Sequence, residues 1–121
     1  MYPSRLFAAL AATFLLYAPT QTIAQIACKP VLAFKEVRFS EPRNHLRKWT
    51  GVLSVDATRC AATSGLFEIK FVRLKEMGPD LLFTERFTWR PGLVEVALDL
   101  WWDEAVQHYW IGEVEPCGCA D

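Results

Sequence analysis

Hydrophobic residues recur at every second position through most of the chain, and this period constrains the fold more than any other feature. Trp49, Gly51, Leu53, Val55 and Ala57 are separated by Thr50, Val52, Ser54 and Asp56. Phe67, Ile69 and Phe71 alternate with Glu68 and Lys70, and Val94, Val96, Leu98 and Leu100 with Glu95, Ala97 and Asp99. Leu81, Phe83, Phe87 and Trp89 keep the same period against Thr84, Arg86 and Thr88, with Glu85 a charge on the apolar side. Successive side chains of an extended chain point to opposite faces, so each run gives a strand with one face for a core and one for water. The alternation predicts six strands, near 31–39, 47–57, 66–75, 81–89, 93–102 and 108–115. Ser40-Glu41-Pro42-Arg43-Asn44, Met77-Gly78-Pro79-Asp80 and Arg90-Pro91-Gly92 separate them with turn chemistry. Short strands at about ten-residue spacing indicate an all-β domain. The expected fold is a small antiparallel β-sandwich of immunoglobulin or fibronectin type III character, with a six-stranded barrel as the other possible closure.

The first residues carry a different pattern. Arg5 and the amino terminus are positive, Leu6 to Ala18 is apolar, and Pro19 ends the run before Thr22-Ile23-Ala24. Charge, an apolar stretch of about 7–15 residues and small residues at a cleavage position are the three parts of a secretory signal peptide. The stretch is shorter than the roughly 20 residues of a spanning helix. Residues 1–24 are therefore expected to be a signal-peptide helix, the only helix in the chain, leaving a single domain over 25–121 with no transmembrane anchor after cleavage. A lipid-bearing cysteine at Cys28 is the competing expectation. It is disfavoured because Gln25 occupies the position where such motifs place an aliphatic residue.

All four cysteines, Cys28, Cys60, Cys117 and Cys119, follow the expected cleavage point. An even number in a short exported chain reads as two disulfides, and hence as an oxidising location, periplasmic or secreted. If consecutive strands run up and down, the first strand begins at the pole where the second and the sixth end. All four cysteines then meet at one pole. A Cys117–Cys119 bond would close a small, strained ring, so Cys28 and Cys60 are each expected to pair with one member of the Pro116-Cys117-Gly118-Cys119 tail, in either order. The alternative use of these sulfurs is a thiol-redox pair or a metal site built on Cys117 and Cys119. Zinc sites, however, usually carry two close ligand pairs, and here there is one.

The opposite pole gathers the remaining connections. It brings together His45 and Arg47 from the first, and Trp101, Trp102, Asp103, Glu104, His108 and Tyr109 from the last. As strand neighbours, Trp101 and Trp102 are expected to face opposite ways, one into the core and one towards solvent. An exposed tryptophan beside carboxylates and a histidine suits stacking on a sugar or anchoring a protein. The plainer reading makes all five tryptophans core or edge cover, and both histidines ordinary surface residues. Arg43-Asn44-His45-Leu46-Arg47-Lys48 forms a short basic cluster, either a solvated loop or a docking patch for an acidic partner.

Several function classes are disfavoured. Once Arg5 is removed, twelve Lys and Arg face fourteen Asp and Glu, a formal charge of −2 that argues against nucleic-acid binding. No Lys or Arg follows Arg90, so the last third is acidic. The chain lacks a nucleophile elbow, a His-Glu-x-x-His motif and a phosphate-cradling glycine loop, and no pattern asks for a cofactor or a metal.

Trp49-Thr50-Gly51-Val52-Leu53-Ser54-Val55, Cys60-Ala61 and the Pro116-Cys117-Gly118-Cys119 end together resemble an uncharacterised family of small exported bacterial proteins with no assigned activity. The similarity covers most of the region after the leader, implies an envelope or secreted location, and supplies no catalytic residue. The function expected on all these grounds is a non-enzymatic binding or interaction module of the bacterial envelope or exterior, with a protein or carbohydrate partner. A thiol-redox or metal-binding protein using Cys117 and Cys119 is the alternative.

Overall fold

A computed structural model describes residues 27–121. The expected leader and its cleavage positions lie outside the described residues. Six strands follow in chain order: β1 (Val31–Phe39), β2 (Leu46–Asp56), β3 (Gly65–Lys75), β4 (Leu81–Trp89), β5 (Gly92–Trp101) and β6 (Glu104–Val114). No helix occurs among the described residues. The strands form two antiparallel three-stranded sheets, ordered β1-β2-β5 and β4-β3-β6. This is the A-B-E and C′-C-F strand order of an immunoglobulin-type sandwich, and the barrel closure is not formed.

The alternation supplies the core directly. Leu53, Ile69, Phe71 and Trp89 are fully buried and Trp49 and Phe67 nearly so, each at an apolar position of its run. Burying one such side chain stabilises the fold by roughly 1.5–3 kcal/mol. Trp49 meets Phe71 edge to face at a centroid distance of 4.9 Å, while Phe71 stacks on Phe83 at 5.3 Å, so aromatic contacts bridge the two sheets. Gly51 is required by this packing, since a Cβ there would stand 2.8 Å from the Trp49 ring.

The last strand begins earlier than the alternation predicts, at Glu104 instead of 108, and β5 ends at Trp101. Two register shifts in the β3–β6 pairing explain the difference. His108 pairs with Val72 but Val106 with Arg73, so Gln107 is an extra residue; a second irregularity falls between the partners of Phe67 and Ile69. A bulge resets the two-residue period, which hides Glu104–Gln107 from a search for alternation.

The two flanks of the sandwich differ. On one, Phe34 of β1 and Tyr109 of β6 meet at 4.9 Å, with Tyr109 also 5.4 Å from Trp49. Both edge strands there are irregular, β1 carrying its own register shift between Phe34 and Glu36. On the other flank the edges are β4 and β5, whose pairings with β3 and β2 run without a shift.

The four cysteines meet at one pole, bonded Cys28–Cys119 and Cys60–Cys117. The tail lies between two segments of backbone. Cys117 N–H donates to the Cys28 carbonyl, while Ala61 and Ala62 N–H donate to the carbonyls of Gly118 and Cys117. Gly118 adopts a φ of 71°, a left-handed conformation that glycine takes without steric cost.

Candidate functional site

The pole away from the disulfides is built from three connections that hold one another. The β1–β2 hairpin closes through Asn44 and His45, with φ of 54° and 67°, and paired Arg43–Leu46 hydrogen bonds of 2.8 and 3.1 Å. Positive φ at both central residues is the signature of a two-residue type I′ turn. The His45 carbonyl accepts the Trp102 N–H at 3.0 Å, and the Asp103 carbonyl accepts the Glu76 N–H at 3.1 Å. Each loop at this pole is therefore tied to the two-residue connection Trp102–Asp103.

Glu104 fixes that connection from below. It is 4% exposed, and its carboxylate reaches Arg73 at 2.8 Å while accepting the Trp101 N–H at 2.7 Å. A buried charge is tolerated when paired and hydrogen-bonded, and Glu104 has both kinds of partner. Arg47 is engaged in the same structure. Its guanidinium donates to the carbonyls of Ser40 and Glu104, and its Cζ lies 3.8 Å from the centroid of the Phe39 ring.

Trp101 and Trp102 are both exposed, at 57% and 51%. The expectation that one faces the core is corrected. Trp102 lies beyond the end of β5 in the turn, and Trp101 sits opposite Leu46 on the outer face of its sheet. One exposed tryptophan thus ends an edge strand and the other opens the braced turn beyond it. Trp49 and Trp89 match the plainer reading, being buried, whereas Trp110 is 42% exposed.

Beside Trp101 lies a cleft of about 540 Å³ that wraps around the β5 edge. Leu81, Phe83 and Glu85 of β4 form one wall, and Leu98, Asp99, Leu100 and Trp101 of β5 the other. Leu46 and the Arg73–Glu104 pair complete it. The interior is apolar and the rim carries Glu85 and Asp99. Glu85, out of place in the alternation, stands exposed at this mouth. Six of the eight residues expected at the pole are thus brought together: His45, Arg47, Trp101, Trp102, Asp103 and Glu104.

His108 and Tyr109 are not at the pole. They pair with Val72 and Phe71 in the middle of β3, because β6 starts four residues earlier than the alternation indicates. Tyr109 belongs to the aromatic closure of the opposite flank. Leu46, Leu81, Phe83, Leu98 and Arg73 line the cleft although sequence reasoning assigned them to core or surface. Their only sequence signal was membership of strands ending at this pole. The basic cluster stays together: Arg43, Arg47 and Lys48 border a depression with Glu41 and Asp99, and Arg47 is also held by its contacts with Ser40 and Phe39.

All four cysteines are in disulfides, and among the described residues no three His, Cys, Asp or Glu side chains are grouped to hold a metal ion. No helix among them is long and apolar enough to cross a membrane. Two disulfides are compatible with an oxidising compartment. No family model, curated protein or solved structure matches the chain.

Proposed function

We propose that this protein is an exported, periplasmic or secreted, non-enzymatic binding module whose recognition surface is the cleft and braced turn around Trp101. The observation that carries this reading is an aromatic side chain that is 57% exposed while its backbone N–H is fixed by the buried Glu104 carboxylate. An aromatic carried on backbone that is already fixed costs less ordering entropy when a ligand stacks on it. The neighbouring concavity is apolar with a few polar groups at its mouth, as binding clefts usually are. The partner this surface suits is a protein segment or a carbohydrate.

The test is titration of the purified protein with soluble oligosaccharides and short peptides, following tryptophan fluorescence and heat. A ligand of this site loses at least about tenfold in affinity on Trp101→Ala, while the urea midpoint stays close to that of the parent. Full retention of binding in both Trp101→Ala and Trp102→Ala removes the assignment. So does unfolding of both, since that makes these residues structural.

A further inference from the structure

Resting on that reading of the Trp101 flank, we infer that the free edge of β5 is a receptor for an extended peptide strand of alternating basic and apolar residues. The edges of the two sheets are unequally protected. Bulges interrupt β1 and β6, and irregular edges resist pairing with another strand. β4 and β5 run without a shift, and of these two β5, which carries Trp101, keeps ten consecutive pairs with β2, Leu46–Trp101 to Val55–Gly92, with no strand on its other side.

The direction of its hydrogen-bonding groups follows from the turn. Trp101 gives its N–H to Glu104 rather than to β2, whereas Trp102 gives its N–H to His45, which continues the β2 side. Antiparallel ladders alternate between residues that bond the neighbour and residues that point away. Along an unbroken register, Leu93, Glu95, Ala97 and Asp99 therefore turn their N–H and C=O groups outward with Trp101. They offer a row of donors and acceptors ready for strand addition.

The side chains define the strand that would fit. Glu95 and Asp99 lie on the outer face of β5, which has no Lys or Arg; Lys48 of β2 stands opposite Asp99 on the inner side, and neither carboxylate enters an ion pair among the described residues. An added strand with basic residues four apart places one opposite each, with a small residue facing Ala97 between them. Its intervening residues point the other way, into the apolar cleft at Leu98 and Phe83. Opposite charges across a strand pair are favourable and like charges unfavourable. A second copy meeting the first along β5 would gather four carboxylates on two strands that carry no Lys or Arg, with Lys48 of each copy only on the far side of Asp99, so charge complementarity favours a basic partner over self-association.

Capped peptides with a Lys-Val-Thr-Val-Lys core, and the same peptides with Glu for Lys, are the probes, with amide hydrogen exchange as the readout. The Lys peptide is expected to bind at least about tenfold more tightly than the Glu peptide. It slows exchange at Glu95, Ala97 and Asp99 by a similar factor, and weakens as salt is added. Ala97→Pro, which blocks the edge at a position whose N–H β2 does not use, abolishes the effect. Glu95→Lys with Asp99→Lys reverses the peptide preference, and tests the inference even if the proline variant does not fold. Unchanged exchange at these amides with millimolar Lys peptide overturns the inference, as does protection along β4 or β6, or protection that grows with protein concentration alone. An oligosaccharide that binds through Trp101, with β5 left unprotected by the Lys peptide, overturns the inference and leaves the proposed function standing. Loss of all ligand responses at Trp101 removes both.

Discussion

Glu104 shows how one side chain can organise a whole end of a small domain. Its carboxylate holds the Arg73 guanidinium and the Trp101 N–H together, and its carbonyl accepts from Arg47. Removing one member of a buried ion pair leaves the other charge uncompensated, a penalty of about 3 kcal/mol or more. Glu104→Ala is therefore expected to lower the unfolding free energy by about that amount in urea, and to sharpen amide exchange at Trp101 and Trp102. Joint replacement of Arg73 and Glu104 by leucine costs less than Glu104→Ala alone. Equal losses in the two proteins would mean that the charge pair itself is not the source. Two exposed carboxylates contribute to the response to acid. Asp56 accepts the backbone N–H of Thr58 at 3.0 Å and its hydroxyl at 2.8 Å, which holds the Asp56 pKa below the ordinary aspartate value. Glu36 is lowered likewise by its hydrogen bonds from Arg38. A folded-state pKa below the unfolded one contributes stability above the unfolded value that is lost as pH falls through the folded one. The thermal midpoints of the parent and Asp56→Ala should thus differ at neutral pH and converge below about pH 4. A gap constant through that range contradicts the assignment.

Among the elements, the bounds of β1 to β5 were readable from sequence, β1 despite its bulge, and only the start of β6 was not. β2, β4 and β5 fall within a residue of the alternating runs because every second side chain enters the core. β6 lost its first turn of pairing to the extra residue at Gln107, and with it went the positions of His108 and Tyr109. The pole itself was legible, since strand parity alone assigns the loops to their ends. The cleft was not. It depends on β4 and β5 facing each other without a strand between them, a relation between distant segments that no local pattern encodes. Nor could sequence say that Trp102, which shares the core parity of Val94 to Leu100, would stay outside, because an alternating run does not announce where it stops.

For the whole molecule, the pairing of the cysteines carries much of the stability. The two bonds span 91 and 57 residues, and loops of that length restrict the unfolded chain by about 4 kcal/mol each in the chain-entropy account. A domain of this size has a narrow margin, so replacing Cys60 and Cys117 by serine should lower the urea midpoint sharply, or unfold the protein at physiological temperature. Intact mass without reductant should show the loss of four hydrogens, and no cysteine should react with an alkylating agent. Alkylation of Cys117 or Cys119 in protein taken from its native compartment would instead favour the thiol or metal reading. Sequence left two orders of pairing open, because both satisfy the same parity. The threading of the tail between Cys28 and residues 59–62 decides between them.

That threading also sets the path of mechanical load. Tension applied between Ala27 and Asp121 passes from Cys28 straight to Cys119 through a covalent bond, and neither sheet lies along the way. The strands are hung from this anchorage as a side loop, free of strain however hard the two ends are drawn apart. A tether attached at either extremity would hold the domain without deforming the surface around Trp101.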